Sequence, residues 1–126
     1  MPILDIEIVA SDSDPSTGSS LPAELTQSLA DEAMQVFDAP QGTVWVKVRV
    51  IPSAHYAEDS GTPLGVYPVF VTVLKSRVPE GSALENEVAQ LTQVIAKALN
   101  RPDTNVHIFY QSDGAGRVAF GGKLVT

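Results

Sequence analysis

PILDIEIV (residues 2–9) and PVFVTVLK (residues 68–75) lie over one another without a gap, pairing Pro2 with Pro68 at an offset of 66. The same offset carries Leu25-Thr26-Gln27 onto Leu91-Thr92-Gln93. Pro40 matches Pro102 at an offset of 62, which reads as a second helix shortened by four residues, about one turn. A strand-like run follows each of these prolines, VWVKVRV (44–50) and VHIFY (106–110). The chain therefore reads as strand–helix–strand written twice within a single domain, with pseudo-repeats over 2–52 and 66–111. Only the first copy sets its proline beside the start of the sequence, and that asymmetry directs attention to Pro2.

Periodicity fills in the elements. Leu4, Ile6 and Ile8 share one face of the first strand, with Asp5 and Glu7 on the other. The polar stretch SDSDPSTGSS (11–20) reads as a loop. Leu21, Leu25, Leu29, Ala33, Val36 and Phe37 then recur at helical spacing, and Pro40 and Gly42 stop that helix. Val44, Val46, Val48 and Val50 alternate with Trp45, Lys47 and Arg49, a second strand. Residues 52–63 read as a long surface loop. In the second copy, 66–74 is a near-continuous apolar run, which predicts a strand buried on both faces. Ser82 and Glu85 have the spacing of a capping box ahead of a stripe formed by Leu84, Val88, Leu91, Ile95 and Leu99. Asn100, Pro102 and Asp103 end this helix, and RVAFGGKLV (117–125) predicts a C-terminal hairpin turning at Gly121-Gly122.

Each βαβ unit should have parallel strands and a right-handed crossover. The fold class expected is α/β (α+β): a tandem βαβ repeat forming one four-stranded mixed sheet with two helices on one face. The opposite face is expected to carry Asp5, Glu7, Trp45, Lys47, Arg49, Val71 and Val73. Lys47 and Arg49 can balance Asp5 and Glu7 across that face. The remainder is too apolar to leave in water, so a second copy of the chain is expected to cover it.

Composition narrows the chemistry. With 126 residues, 44% hydrophobic and 18% charged, the chain can bury a core without a metal or disulfide. It has no cysteine, which removes disulfides, thiolate metal sites and cysteine nucleophiles. His55 and His107 are far apart and show no zinc-ligand spacing. A net charge of −7 without a basic run argues against nucleic acid. No apolar stretch approaches the roughly 20 residues of a membrane span and no leader precedes Ile3, so the expected location is cytoplasmic.

Some motifs have plain readings. GAGRVA (114–119) matches a dinucleotide fingerprint in form, but a glycine pair follows where that fingerprint needs a helix. His55, Tyr56, Glu58 and Asp59 read as a polar loop. Pro2 stands apart. If Met1 is removed, Pro2 becomes a free secondary amine, and α-amino groups titrate nearer neutrality than lysine. Burial beside cations lowers such a pKa further, giving a general base on a rigid strand.

The chain resembles the tautomerase superfamily, which includes 4-oxalocrotonate tautomerase, macrophage migration inhibitory factor and malonate semialdehyde decarboxylase. MPILDIEIV, FDAP (37–40) followed by VWV, and RVAFGGKLV look like segments of the short tautomerases. EDSG (58–61) and LKSR (74–77) look more like the decarboxylase branch. The resemblance covers nearly the whole chain and implies a homotrimer with sites between subunits. It implies a cofactor-independent keto–enol isomerase acting on a small anionic enol or keto acid, with Pro2 as the catalytic amine and neither metal nor cofactor. It also implies substrate binding at Lys75, Ser76 and Arg77, with His107 reaching into a neighbour's site and Trp45 as its counterpart in the first repeat. Two positions depart from the family pattern. Thr43 stands where the decarboxylase and dehalogenase branches carry a water-activating aspartate, and His107 stands where short tautomerases carry an arginine. A decarboxylase- or dehalogenase-like enzyme, or a non-catalytic interaction protein, are the alternatives.

Overall fold

The computed structural model describes residues 1–11 and 21–126, so nearly all of the loop expected over 11–20 lies outside the described residues. Four strands form the main sheet: β1 (Ile3–Val9), β2 (Trp45–Ile51), β3 (Val69–Leu74) and β4 (Val106–Tyr110). Their order is β2-β1-β3-β4. β1 runs parallel to β2 and β3 parallel to β4, while β1 and β3 meet antiparallel at the centre. Helices α1 (Ala23–Phe37) and α2 (Gly81–Leu99) connect the parallel pairs, as βαβ geometry requires. A short hairpin, β5 (Ala119–Phe120) and β6 (Lys123–Leu124), completes the chain. Gly121 and Gly122 make its turn with φ of 57° and 87°, the left-handed pair that a two-residue hairpin loop needs.

One face of the sheet and one stripe from each helix make the core. Leu4, Ile6 and Ile8 of β1 meet Val69, Val71 and Val73 of β3, and Leu29, Ala33, Leu91, Ile95 and Leu99 close over them from the helices. Fully burying an aliphatic side chain of this kind stabilises the fold by about 1.5–3 kcal/mol. Both helices end on a left-handed residue, Asp38 and Asn100, whose backbone N–H returns to the last turn. No helix among the described residues is long and apolar enough to cross a membrane.

Three expectations need correction. The four residues separating the two offsets are not lost from the second helix: α2 has 19 residues and α1 has 15. The shortening lies in the connection before the helix, residues 75–80 against residues 10–22. The helices are in step at the offset of 62, which pairs Leu29 with Leu91 and Ala33 with Ile95, all buried. The Leu-Thr-Gln match instead pairs half-buried Leu25 with buried Leu91. Second, no capping box forms, because α2 begins at Gly81 with Glu80 as its cap and no capping side-chain hydrogen bond. Third, Val71 and Val73 are fully buried under the helices. The register sets Phe70 against Glu7 and Thr72 against Asp5, so Phe70, Thr72 and Leu74 stand on the open face in their place. Alternation with period two makes such an exchange all or nothing.

On that open face the charges pair as expected. Arg49 Nη2 lies 2.9 Å from Asp5 and 3.3 Å from Glu7, and Lys47 Nζ lies 3.6 Å from Asp5. The two carboxylates hold the Arg49 pKa above its ordinary value, Asp5 contributing most. Beside them Phe70 stacks near Phe109 and His107, with ring centroids 6.4 and 5.6 Å away.

Candidate active site

Pro2 is buried at the entry to β1, and its carbonyl accepts the backbone N–H of Trp45 at 3.1 Å. It precedes Ile3, whose antiparallel partner is Leu74, so the next position in register is Lys75. Alternation sets both side chains on the helix-covered side, continuing the rows of Leu4 and Val73. With Met1 attached, the Pro2 nitrogen is an amide and has no basic lone pair.

Lys75 is not the free cation that its place in the sequence suggests. Its side chain is 15% exposed, and Nζ sits 2.6 Å from Glu87 Oε1 on α2. The same ammonium stands 4.8 Å from the centre of the Phe37 ring at the end of α1. Tyr110 donates from its hydroxyl to the other Glu87 oxygen at 2.5 Å. Burial, then the hydrogen bond and charge of Glu87, push the Tyr110 pKa well above the usual phenol range. Two adjacent strands and a helix thus converge at the Pro2 end of the sheet.

The C-terminal segment closes this end. Gly114 donates its N–H to the Lys75 carbonyl at 2.7 Å, and Ala115 donates to that of Ser76 at 3.1 Å. Gly114 has no positive φ, yet a Cβ there would come within 2.9 Å of Met1 Cε, 3.1 Å of Val118 and 3.2 Å of the Lys75 oxygen. Space, rather than backbone conformation, explains this glycine. Residues 114–118 form a turn with no helix behind it, which disposes of the dinucleotide reading of GAGRVA.

The other sequence-selected residues are distributed unevenly. Arg77 is exposed beyond the end of β3 and has no ion-pair partner among the described residues. Trp45 and His107 are exposed on the open sheet face, across the sheet from the side chains of Pro2 and Lys75. Trp45 packs edge-on against Phe120 at 5.1 Å and donates from Nε1 to the Gly42 carbonyl. Thr43 donates its hydroxyl to the Pro40 carbonyl at 2.7 Å, a turn contact. In the 52–67 loop Tyr56 donates to Glu58 at 2.6 Å, a local polar pairing. Among the described residues no three His, Asp or Glu side chains gather as a metal site would require.

Glu87 and Tyr110 escaped selection from the sequence. A signal for Glu87 existed: it lies three residues after Leu84 and four before Leu91, on the inward stripe of α2. A carboxylate on that stripe needs a partner. At the far end of the sheet Arg101, just past the end of α2, is also buried and donates to the carbonyls of Val9 and Tyr67.

No protein-family model and no curated protein matches the chain. Solved structures do. Macrophage migration inhibitory factor from Trichinella spiralis superposes with a TM-score of 0.72 at 16% identity, covering 97% of this chain and 98% of that one. A fused 4-OT wild-type symmetric trimer gives 0.71 at 14% identity over 98% and 94%. Pt0534 inactivated by 2-oxo-3-pentynoate gives 0.70 at 16% identity over 98% and 94%. With the tandem βαβ sheet and its buried leading proline, these matches show that the chain has the fold of the tautomerase superfamily.

Proposed function

We propose that this protein is a cofactor-independent keto–enol tautomerase of a small 2-oxo acid, with Pro2 as its base once Met1 is removed. The observation that carries the reading is the place of Pro2: buried, on a rigid strand, opposite a half-buried lysine at a sheet end closed by the C-terminal segment. There the free amine is partly desolvated, which disfavours its charged form and keeps a basic lone pair near neutral pH. It takes the proton from the enol hydroxyl or the α-carbon and returns it to the neighbouring carbon. Arg77, exposed and without an ion-pair partner among the described residues, binds the substrate carboxylate with its planar fork and stabilises charge growing on the carbonyl oxygen. Lys75 and the Ser76 backbone line the same end and complete the binding wall.

The active form in this reading is a homotrimer in the cytoplasm. The solved 4-OT relatives described as trimers share the fold, and the open face here offers Trp45, Phe70 and Phe109 for burial. In this reading His107 and Trp45, exposed on the open sheet face, serve a neighbouring subunit's site rather than their own. Water-activating chemistry, as in a decarboxylase or dehalogenase, receives less support. Glu87, a carboxylate on the Pro2 side of the sheet, has both oxygens engaged by Lys75 and Tyr110.

The test is an assay of enol and keto acids with protein whose amino terminus has been defined by mass. Turnover by chains beginning at Pro2, lost in Pro2→Ala, supports the reading. Equal turnover by protein shown to retain Met1 overturns it, since an amide nitrogen cannot accept the proton.

A further inference from the structure

We infer that Glu87, held by Tyr110, is a positioning residue that sets how strongly Lys75 acts on the Pro2 amine. The inference rests on Pro2 being the base. Opposite residues of an antiparallel pair have Cβ atoms about 4.5–5.5 Å apart, so Lys75 is the cation nearest Pro2 along the sheet. Alone, a cation at that place would depress the amine pKa and draw any anion toward itself. It is not alone. Glu87 holds its ammonium at 2.6 Å, and both side chains are largely out of water, 15% and 12% exposed.

The groups facing Lys75 account for its orientation. From α2 comes the Glu87 carboxylate, from α1 the Phe37 ring, from β4 the Tyr110 hydroxyl at one remove, and from β1 Pro2 itself. Tyr110 fills the second Glu87 oxygen, so the carboxylate cannot swing away from Lys75 without stranding a buried acceptor. The suppressed ionisation of Tyr110 keeps it a donor throughout the neutral range. Pro2 therefore meets a nearly neutral pair rather than a bare cation. The pair keeps the amine from becoming too weak a base, and leaves the substrate carboxylate to Arg77. Glu87 touches neither substrate nor the reacting atoms in this scheme; it acts through Lys75.

An NMR titration of protein labelled with ¹⁵N-proline reads the Pro2 amine directly and apart from turnover. Removing the negative charge with Glu87→Gln should lower the Pro2 pKa by roughly half a unit to one unit, the Coulomb effect of one charge at this range in a half-buried setting. Lys75→Met should raise it by a similar amount, and the double variant should return close to wild type. The acid limb of kcat/KM should move with the titration, and Glu87→Gln should lower KM for a dicarboxylate by freeing the ammonium. Should Glu87→Gln fail to fold, Glu87→Asp carries the test, withdrawing the charge and giving a smaller shift of the same sign. No shift, or single variants that move the pKa in one direction, overturns the inference while leaving the base assignment standing. Full activity in Pro2→Ala removes the base assignment itself, and this inference with it.

Discussion

Phe70 stands opposite Glu7 in the antiparallel pairing of β3 with β1, and this register decides the chemistry of the open sheet face. It turns Val69, Val71 and Val73 under the helices and leaves Phe70 outward between Tyr56, His107 and Phe109. The face is thus an aromatic patch on the β3–β4 side and an ion-paired strip on the β1–β2 side. An aromatic patch next to satisfied charges is suited to burial against a second copy of the chain.

Sedimentation should accordingly find a species about three times the 13.4 kDa chain mass. Phe109, 55% exposed, contributes little to the folded monomer, so Phe109→Asp should keep native circular dichroism while shifting the population to smaller species. A wild-type monomer at micromolar concentration rules the trimer out.

Pro2→Ala should reduce tautomerisation of a phenylenolpyruvate-like substrate by roughly 10²- to 10⁴-fold, the usual contribution of a positioned acid–base group. The control is the unfolding midpoint, which should change little beside the loss of rate.

Arg77 is exposed, so its loss should not harm the fold. Arg77→Ala should raise KM and lower kcat/KM by about 1.5–3 kcal/mol, the value of a hydrogen bond to a charged group. Arg77→Lys should recover only part, because a point charge does not reproduce the bidentate fork. Unchanged kinetics in both variants would take Arg77 out of the anion wall and leave Arg117, exposed on the closing C-terminal segment, as the next cation to test.

Tyr110 predicts an alkaline weakness. Its pKa is raised in the folded chain, by burial first and by Glu87 second, above the ordinary value of about 10 for the unfolded one. Between those two values the unfolded chain has lost a proton that the folded chain keeps, so stability falls as pH rises. The contribution is whole below the unfolded pKa and disappears as pH climbs toward the folded one. Denaturant melts at rising pH should show this decline, and Tyr110→Phe should flatten it.

Leu91 lies at the centre of the core with no exposure. Leu91→Ala should cost about 2–5 kcal/mol by denaturant titration at fixed protein concentration, from lost burial and the cavity left behind. Leu25→Ala, half-buried at the edge, should cost less. Equal losses would contradict the helix alignment that pairs Leu29, not Leu25, with Leu91.

Much of this could be read along the chain because it depends on neighbours in sequence. The alternation of Leu4, Ile6 and Ile8 with Asp5 and Glu7 gives a half-covered strand, and the Leu29–Ala33 and Leu91–Ile95 spacings give helices with one buried stripe. The parallel pairing inside each βαβ unit follows from the helical crossover that joins its strands, and the register there brings Asp5 and Glu7 to Arg49. How the two units join does not follow from those rules. The β1–β3 register belongs to neither repeat, and a run as uniformly apolar as VFVTVL leaves open which set faces the helices. Packing chose the valines for the tight space under α1 and α2 and turned Phe70 out among Tyr56, His107 and Phe109. The Lys75–Glu87–Tyr110 cluster likewise joins residues 12 and 23 positions apart through a strand end, a helix face and the next strand. No local pattern encodes such a meeting, because it exists only once sheet and helices are docked and a buried lysine must find its counter-ion.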